Sequence, residues 1–166
     1  MAITYGFFDA MQQSDGTYDR TYNADQMSTY FEGLVSDGVF ADVGNGMQVK
    51  AGTGMQVQVE PGRLLIDCKW LKNTAAYPIA INPAHVTLDR YTAIVARLDY
   101  TARTITLLAK DSVPASTPVK PIGTRTQTVK ELCLAYVLVK RGATSITQAD
   151  IQDVRANTDI CGLVTG

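Results

Sequence analysis

The chain has 166 residues, a length that fits one domain with a sizeable core. Hydrophobic residues make up 46% of it and charged residues 19%, which is the composition of a globular protein and excludes a disordered one. The formal net charge of -1 offers no long-range attraction to nucleic acid or to an anionic membrane, so neither is expected as a partner.

The sequence shows no targeting segment and no disulfide framework. Arg20 is the first basic residue and no long apolar stretch precedes it, so we expect synthesis in the cytoplasm without a signal peptide. Three widely spaced cysteines, Cys68, Cys133 and Cys161, form no Cys-x-x-Cys motif, and an odd number cannot pair completely. We therefore expect reduced thiols.

The first element in chain order is a short aromatic strand predicted over residues 3–8. Phe7 and Phe8 are adjacent, and neighbouring side chains on a strand point to opposite faces, so both cannot pack on the same surface. Together with Tyr5 they form a candidate interface. The alternative is an N-terminal strand that is fully buried.

One amphipathic α-helix is predicted over residues 24–36. Asn23 followed by Gln26 is a capping-box arrangement, and Gly38 provides a stop. Apolar residues then recur at helical spacing, which indicates a helix packed on a sheet. This stripe consists of Met27, Tyr30, Phe31, Leu34 and Val35. We therefore expect Leu34→Ala to destabilise the protein as a core truncation.

Beyond the helix the period of the apolar residues changes from 3.6 to 2. Residues 55–59 and 64–70 alternate on either side of Pro61-Gly62, which predicts a hairpin. Within it Trp70 is in phase with Leu64 and Ile66, so its side chain is expected on the core side.

The second half of the chain also reads as strands. A hairpin is predicted between residues 91–100 and 104–110, and a central strand buried on both faces over 132–139. A Pro/Ser/Thr-rich surface loop separates them at about 112–128. A single helical turn is expected to begin at Thr147. The sum is one domain over residues 1–166, mainly β and sandwich- or barrel-like, with a single helix.

The sequence predicts no catalytic, cofactor or metal site. His85 is the one histidine and stands beside Pro83 in loop-like sequence, whereas most acid–base and nucleophilic sites recruit histidine. A glycosidase would need two facing carboxylates, which the sequence does not pair. A carbohydrate-binding surface built from aromatic residues around Trp70 is the other alternative, weakened by the expected core position of Trp70.

The most site-like charges lie near the end of the chain. Asp153 and Arg155 are flanked by Ile151 and Val154, which suggests a partly buried pair that fixes the C-terminal turn. We interpret this pair as a structural clasp. A ligand-binding role is the alternative.

Phrases spread over the whole chain resemble N-terminal modules of phage and prophage tail, baseplate or receptor-binding structural proteins of Gram-positive gut bacteria. These phrases, as they stand here, are ITYGFF at 3–8, YNADQM at 22–27, YFEGLVSDGV at 30–39, AGTGM at 51–55, VEPGR at 59–63, AHVTLDRYT at 84–92, ELCLA at 131–135, GATSITQA at 142–149, and Asp153, Arg155 and Cys161-Gly162.

The resemblance implies a non-enzymatic attachment domain located in the virion tail. Its expected partners are other tail or baseplate proteins and further copies of itself, as a trimer or hexamer, with a host cell-wall glycan under the carbohydrate-binding alternative. The resemblance carries no catalytic residues. Longer members of this family continue past the Cys-Gly phrase, so we expect a longer phage protein to go on beyond Gly166.

Overall fold

Antiparallel strand pairing organises the computed structural model, which describes residues 3–165. The described residues are mainly β and contain one α-helix. In chain order the elements are α1 (Ala24–Phe31), β1 (Gly38–Val39), β2 (Val49–Ala51), β3 (Gln56–Val59), β4 (Gly62–Ile66), β5 (Lys69–Asn73), β6 (Tyr77–Ala80), β7 (Arg90–Asp99), β8 (Thr104–Asp111), β9 (Val129–Val139) and β10 (Ile151–Asp153).

The strands form three sheets that share one core. Their orders are β1-β4-β5, β2-β3-β6 and β10-β9-β7-β8, and every pairing between these strands is antiparallel. Fully buried side chains from all three sheets meet in a single cluster, among them Leu64, Val57 and Leu134. The core is therefore complete within residues 38–165.

The predicted hairpin and central strand of the second half are confirmed. All of β8 pairs with residues 92–99 of β7 across the turn at residues 100–103, and β9 lies between β7 and β10. One face of β9 packs Leu132 on the main core, and the other packs Cys133 and Tyr136 in a second, smaller cluster. Residues 112–128 connect β8 to β9 as a loop, and Thr147 begins a turn of 3-10 helix.

The predicted hairpin across Pro61-Gly62 is wrong. β3 pairs with β2 and β6, whereas β4 pairs with β1 and β5, so the chain passes from one sheet to another at this turn. A Cβ on Gly62 would lie 2.6 Å from the backbone nitrogen of Met47, so the crossing needs glycine. The alternation of apolar and polar residues does not reveal this change of sheet, because the period is 2 both before and after the turn.

Trp70 lies outside the core, contrary to the expectation. β4 and β5 are joined by the two-residue turn Asp67-Cys68, with φ of 50° and 58°, which is the left-handed geometry of a tight hairpin. Paired residues share a face, so Leu71 points with Leu64 towards the core while Trp70 points away. The Trp70 side chain is consequently 66% exposed.

The N-terminal strand predicted over residues 3–8 is absent. No strand forms there, and Phe7 adopts a φ of 64°, which an extended strand does not contain. The predicted capping box is confirmed: the Gln26 amide donates to the Asn23 side chain and the Asn23 amide donates to the Gln26 side chain. α1 starts at Ala24, as expected.

α1 ends five residues earlier than predicted and does not pack on a sheet. Gly33, with φ of 80°, takes the left-handed position just after the helix, and the Leu34 and Val35 amides bond the carbonyl of Phe31. None of the helical residues is buried, and Leu34 is 53% exposed. Gly38, the expected stop, instead allows close approach to the carbonyl of Gly162.

A matched pair of leucines tests this correction. Leu134→Ala removes a fully buried side chain on β9 and should lower the free energy of unfolding by about 2–5 kcal/mol, whereas Leu34→Ala should lower it by less than about 1 kcal/mol. Urea denaturation of the two variants beside the parent chain measures both values. Equal losses would show that Leu34 is packed.

Candidate functional site: an acidic arm and an apolar groove

Residues 3–37, here called the arm, expose most of their apolar side chains. Among the described residues 19 large apolar side chains are exposed, and eleven of them lie between Ile3 and Leu34. The rest of the described chain, residues 38–165, is here called the body. Monomeric proteins rarely leave so large an apolar surface uncovered, and such surfaces mark interaction sites.

The arm holds its aromatic residues together by contacts within itself. Phe7 packs against Tyr30 of α1, with ring centroids 4.7 Å apart, and against Tyr22 at 5.6 Å. The hydroxyl of Tyr22 accepts a hydrogen bond from the amide of Phe8 at 3.1 Å, and Tyr5 meets Phe8 edge-on. The structure thus packs Phe7 against α1 and Tyr5 against Phe8, and it leaves all three more than half exposed.

The arm is fixed to the body at its last residues. The Ser36 amide donates to the carbonyl of Thr165, and Val39 exchanges backbone hydrogen bonds with Gly162 and Val164. A Cβ on Gly38 would lie 2.4 Å from the Gly162 oxygen, so glycine permits this close crossing of the two segments. The arm therefore leaves the body from a defined point.

Arm and body carry opposite charge, which the net charge of the chain conceals. Residues 3–37 contain six carboxylates and one arginine, a formal charge of about -5. Residues 38–165 contain ten carboxylates and fourteen lysines and arginines, about +4. The sequence holds this signal, but it appears only when charge is counted for arm and body separately.

An apolar groove of about 650 Å³ separates α1 from the body. Met27 and Phe31 line its helix side, and the body side presents Trp70, Leu98 and Ile105. Lys69 and Arg103 also line the groove. The ammonium group of Lys69 lies 3.3 Å from the Ser28 hydroxyl and 5.2 Å from the centre of the Tyr100 ring. Sequence analysis missed this groove because Trp70 was expected inside the core.

A smaller polar cavity of about 280 Å³ lies beside the groove. Asp67 there accepts a hydrogen bond from the Tyr100 hydroxyl at 2.7 Å and pairs with Lys130, while its own amide donates to Asp37. Burial raises the pKa of Asp37. Burial would also raise the pKa of Asp67, but the hydrogen bonds from Lys130 and Tyr100 outweigh it, so the pKa of Asp67 is lowered. Burial, then the bond to Asp67, raises the pKa of Tyr100 to about 12. Both carboxylates are thus engaged in holding the Asp67-Cys68 turn.

Asp153 and Arg155 form a two-pronged ion pair, with nitrogen–oxygen distances of 2.9 and 2.7 Å. The guanidinium also donates to the carbonyl of Gly46 at 2.6 Å, which joins segments 109 residues apart. The hydrogen bonds from Arg155 lower the pKa of Asp153. This geometry fits a clasp between the end of the chain and the loop before β2.

Glu131 on β9 is a buried carboxylate that sequence analysis did not single out. Its side chain is inaccessible to solvent and contacts Arg97 and Lys110, each at 2.9 Å, and the Thr124 amide at 2.6 Å. Burial alone would raise the pKa of Glu131, but the hydrogen bonds from these three residues prevail and lower it to about 2. They also tie the loop at 112–128 to the sheet.

The depressed pKa of Glu131 predicts a defined acid sensitivity. The unfolded chain binds the proton near pH 4.5 and the folded protein only near pH 2, so the stabilising effect is complete above pH 4.5 and is lost between 4.5 and 2. Glu131→Gln should lower the free energy of unfolding by about 3 kcal/mol at pH 7, and this difference from the parent should shrink below pH 4.5. Urea titrations at pH 7, 5 and 3 measure it, and a difference independent of pH would contradict the assignment.

His85 lies on an exposed loop, where its Nδ1 accepts hydrogen bonds from the amides of Thr87 and Leu88. All three cysteines are free. Within residues 3–165 no cluster of three potential metal ligands occurs, and no helix has the length and hydropathy needed to cross a bilayer.

Comparisons of the chain with models of known protein families, with curated proteins and with solved structures found no match.

Proposed function

We propose that this chain is a non-enzymatic assembly module of a phage tail or baseplate, which it joins through its arm. The body serves as a rigid mount, and the three sheets around one core support a sandwich-like architecture for it. In the virion tail the module contacts other tail proteins and further copies of itself. The proposal rests on the exposed apolar arm together with the resemblance of the sequence to such modules.

The single observation that carries the proposal is the exposure of the large apolar side chains of α1, Met27, Tyr30 and Phe31. A helix of eight residues is marginal in water by itself and normally depends on burying its apolar face. α1 has a complete capping box yet buries none of its residues in its own chain. A partner that covers Met27, Tyr30 and Phe31 would supply the missing burial, at roughly 25 cal/mol per Å² of apolar surface.

Particle incorporation tests this proposal. Phe7→Asp, introduced into the phage that encodes the chain, places a charge in the aromatic cluster of the arm and should reduce the chain in purified virions at least tenfold. Val113→Asp is the control, because Val113 is also apolar and exposed and lies far from the arm in sequence. Quantitative immunoblotting and immunogold microscopy of virions measure the outcome.

Two outcomes would overturn the proposal. One is a parent chain that is absent from purified virions. The other is a Phe7→Asp variant incorporated as well as the Val113→Asp control.

A second candidate function is recognition of a host glycan, and the position of Trp70 favours it. Its indole is largely exposed beside the groove, and Tyr100 lines the same groove. Exposed aromatic faces of this kind stack on the apolar faces of sugars, and a concave apolar site with a few polar groups is the usual form of a ligand pocket.

A glycan titration distinguishes the two functions. Under the carbohydrate hypothesis, calorimetry with cell-wall oligosaccharides gives saturable binding that Trp70→Ala weakens at least tenfold and that Tyr77→Ala, an exposed aromatic residue outside the groove, leaves unchanged. Absence of saturable binding by the parent chain would eliminate this candidate.

A further inference from the structure

We propose that the arm of one copy docks on the body of a second copy, with α1 seated against the groove beside Trp70, Leu98 and Ile105. This inference rests on the proposed assembly role of the arm and names its partner. Arm exchange of this kind is a route to oligomers that needs no surface beyond those the monomer already has.

The described carboxylates of the arm make no close ion pair with the body of their own chain, and only Asp37 is known to experience the longer-range charges of Arg125 and Lys130. Among the described residues, the one ion pair of the arm joins Arg20 to Asp19, both of them in the arm. No ion pair among these residues joins the arm to the body. About five negative charges therefore stand beside a body of about four positive ones without direct pairing. A second copy offers the complementary surface, and opposite potentials accelerate and orient such encounters.

The groove shows that the arm does not close on its own body. About 650 Å³ remains between α1 and the strands, although both walls are apolar. Across this gap the polar contact from Lys69 to Ser28 is long for a hydrogen bond to an ammonium group, at 3.3 Å. Apolar walls that face each other across open space gain stability from any matching surface that fills it.

The connection between arm and body allows exchange. α1 ends at Phe31, and Gly33, with φ of 80°, begins a short segment that reaches the first fixed residue, Ser36. A Cβ on Gly33 would meet nothing within 4 Å, so no neighbouring atom constrains this position. Rotation at a few such terminal residues redirects a whole element, as in other hinge motions.

The exposed aromatic surface of the arm approaches the size of a standard interface, and Phe31 is the aromatic side chain of the arm that lines the groove. Seven aromatic side chains of the arm are 39–67% exposed: Tyr5, Phe7, Phe8, Tyr18, Tyr22, Tyr30 and Phe31. Since a fully buried aromatic side chain covers about 150–250 Å², their exposed parts offer roughly 700 Å² for each arm. A standard interface buries about 800 Å² on each partner.

Charge reversal tests the exchange. One variant carries Asp9→Lys and Glu32→Lys in the arm; neither carboxylate has a described hydrogen-bond partner, and the capping box of Asn23 and Gln26 is left unchanged. The second carries Lys69→Glu and Arg103→Glu at the groove. A control with Lys72→Glu and Arg141→Glu, away from the groove, changes the net charge by the same amount and in the same direction as the groove variant. Sedimentation equilibrium at low salt compares their assembly.

The parent and the control should assemble, each reversed variant should assemble at least tenfold more weakly, and an equimolar mixture of the two reversed variants should regain assembly. Circular dichroism verifies folding, and if a double variant unfolds, Glu32→Lys and Arg103→Glu replace the two pairs. The proposal is overturned if the parent is monomeric up to about 1 mM, if the reversed variants assemble like the control, or if their mixture stays dissociated.

A negative result here is distinguishable from failure of the proposed function. A monomeric parent chain that still enters virions in a Phe7-dependent way would exclude self-pairing and retain the attachment role. A parent chain that assembles with itself but is absent from virions would retain arm exchange and exclude the role in the particle.

Discussion

The burial of β9 on both faces is the constraint on which the rest of the structure depends. One face of β9 closes the main core and the other face supports the smaller cluster around Cys133 and Tyr136. The cost of placing Glu131 in such a strand is offset by its contacts with Arg97 and Lys110. Strands β7 and β10 then pair with the two edges of β9, and the loop at 112–128 is held over it.

Because the core is complete within the body, the apolar side chains of the arm remain exposed. The buried cluster contains no residue from the arm, so the helix has no place in it. The arm instead organises its own aromatic residues around Phe7, whose contacts with Tyr22 and Tyr30 leave the outer faces of all three rings exposed. Such a segment is folded enough to present a surface and too small to bury it, which is the physical basis of the proposed attachment role.

Local signals in the sequence carried much of the fold. The capping box at Asn23, the hairpin of β7 and β8 and the continuous apolar run of β9 all depend on neighbours within a few residues, and each is found in the structure. The errors arose where a turn changed the phase or the sheet. The left-handed pair Asp67-Cys68 reversed the direction of Trp70, and alternation continued unchanged through the crossing at Gly62.

The candidate site depended on information of another kind. Whether the stripe of α1 is covered depends on what the body leaves open, and helical periodicity is the same in either case. Tyr5, Phe7 and Phe8 could be singled out from the sequence, but Phe7 packs against Tyr30 of α1 with a positive φ that strand alternation does not indicate. The periodicity of the sequence therefore identified the apolar residues of the arm, but it could not show which surface covers them.

The charge distribution connects the arm to the kind of partner it fits. The net charge of -1 gave no reason to expect nucleic acid or a membrane as a partner. That argument assumes that positive and negative charges are spread evenly over the molecule. Here the total is the sum of an acidic arm and a basic body, so each part carries a field of its own at distances within the Debye length of about 10 Å at 0.1 M salt. A surface that binds the arm must be basic and apolar at once. The groove is apolar around Trp70 and carries two cations, Lys69 and Arg103, against one carboxylate, Asp99; under the proposed exchange a second copy of the chain provides this surface.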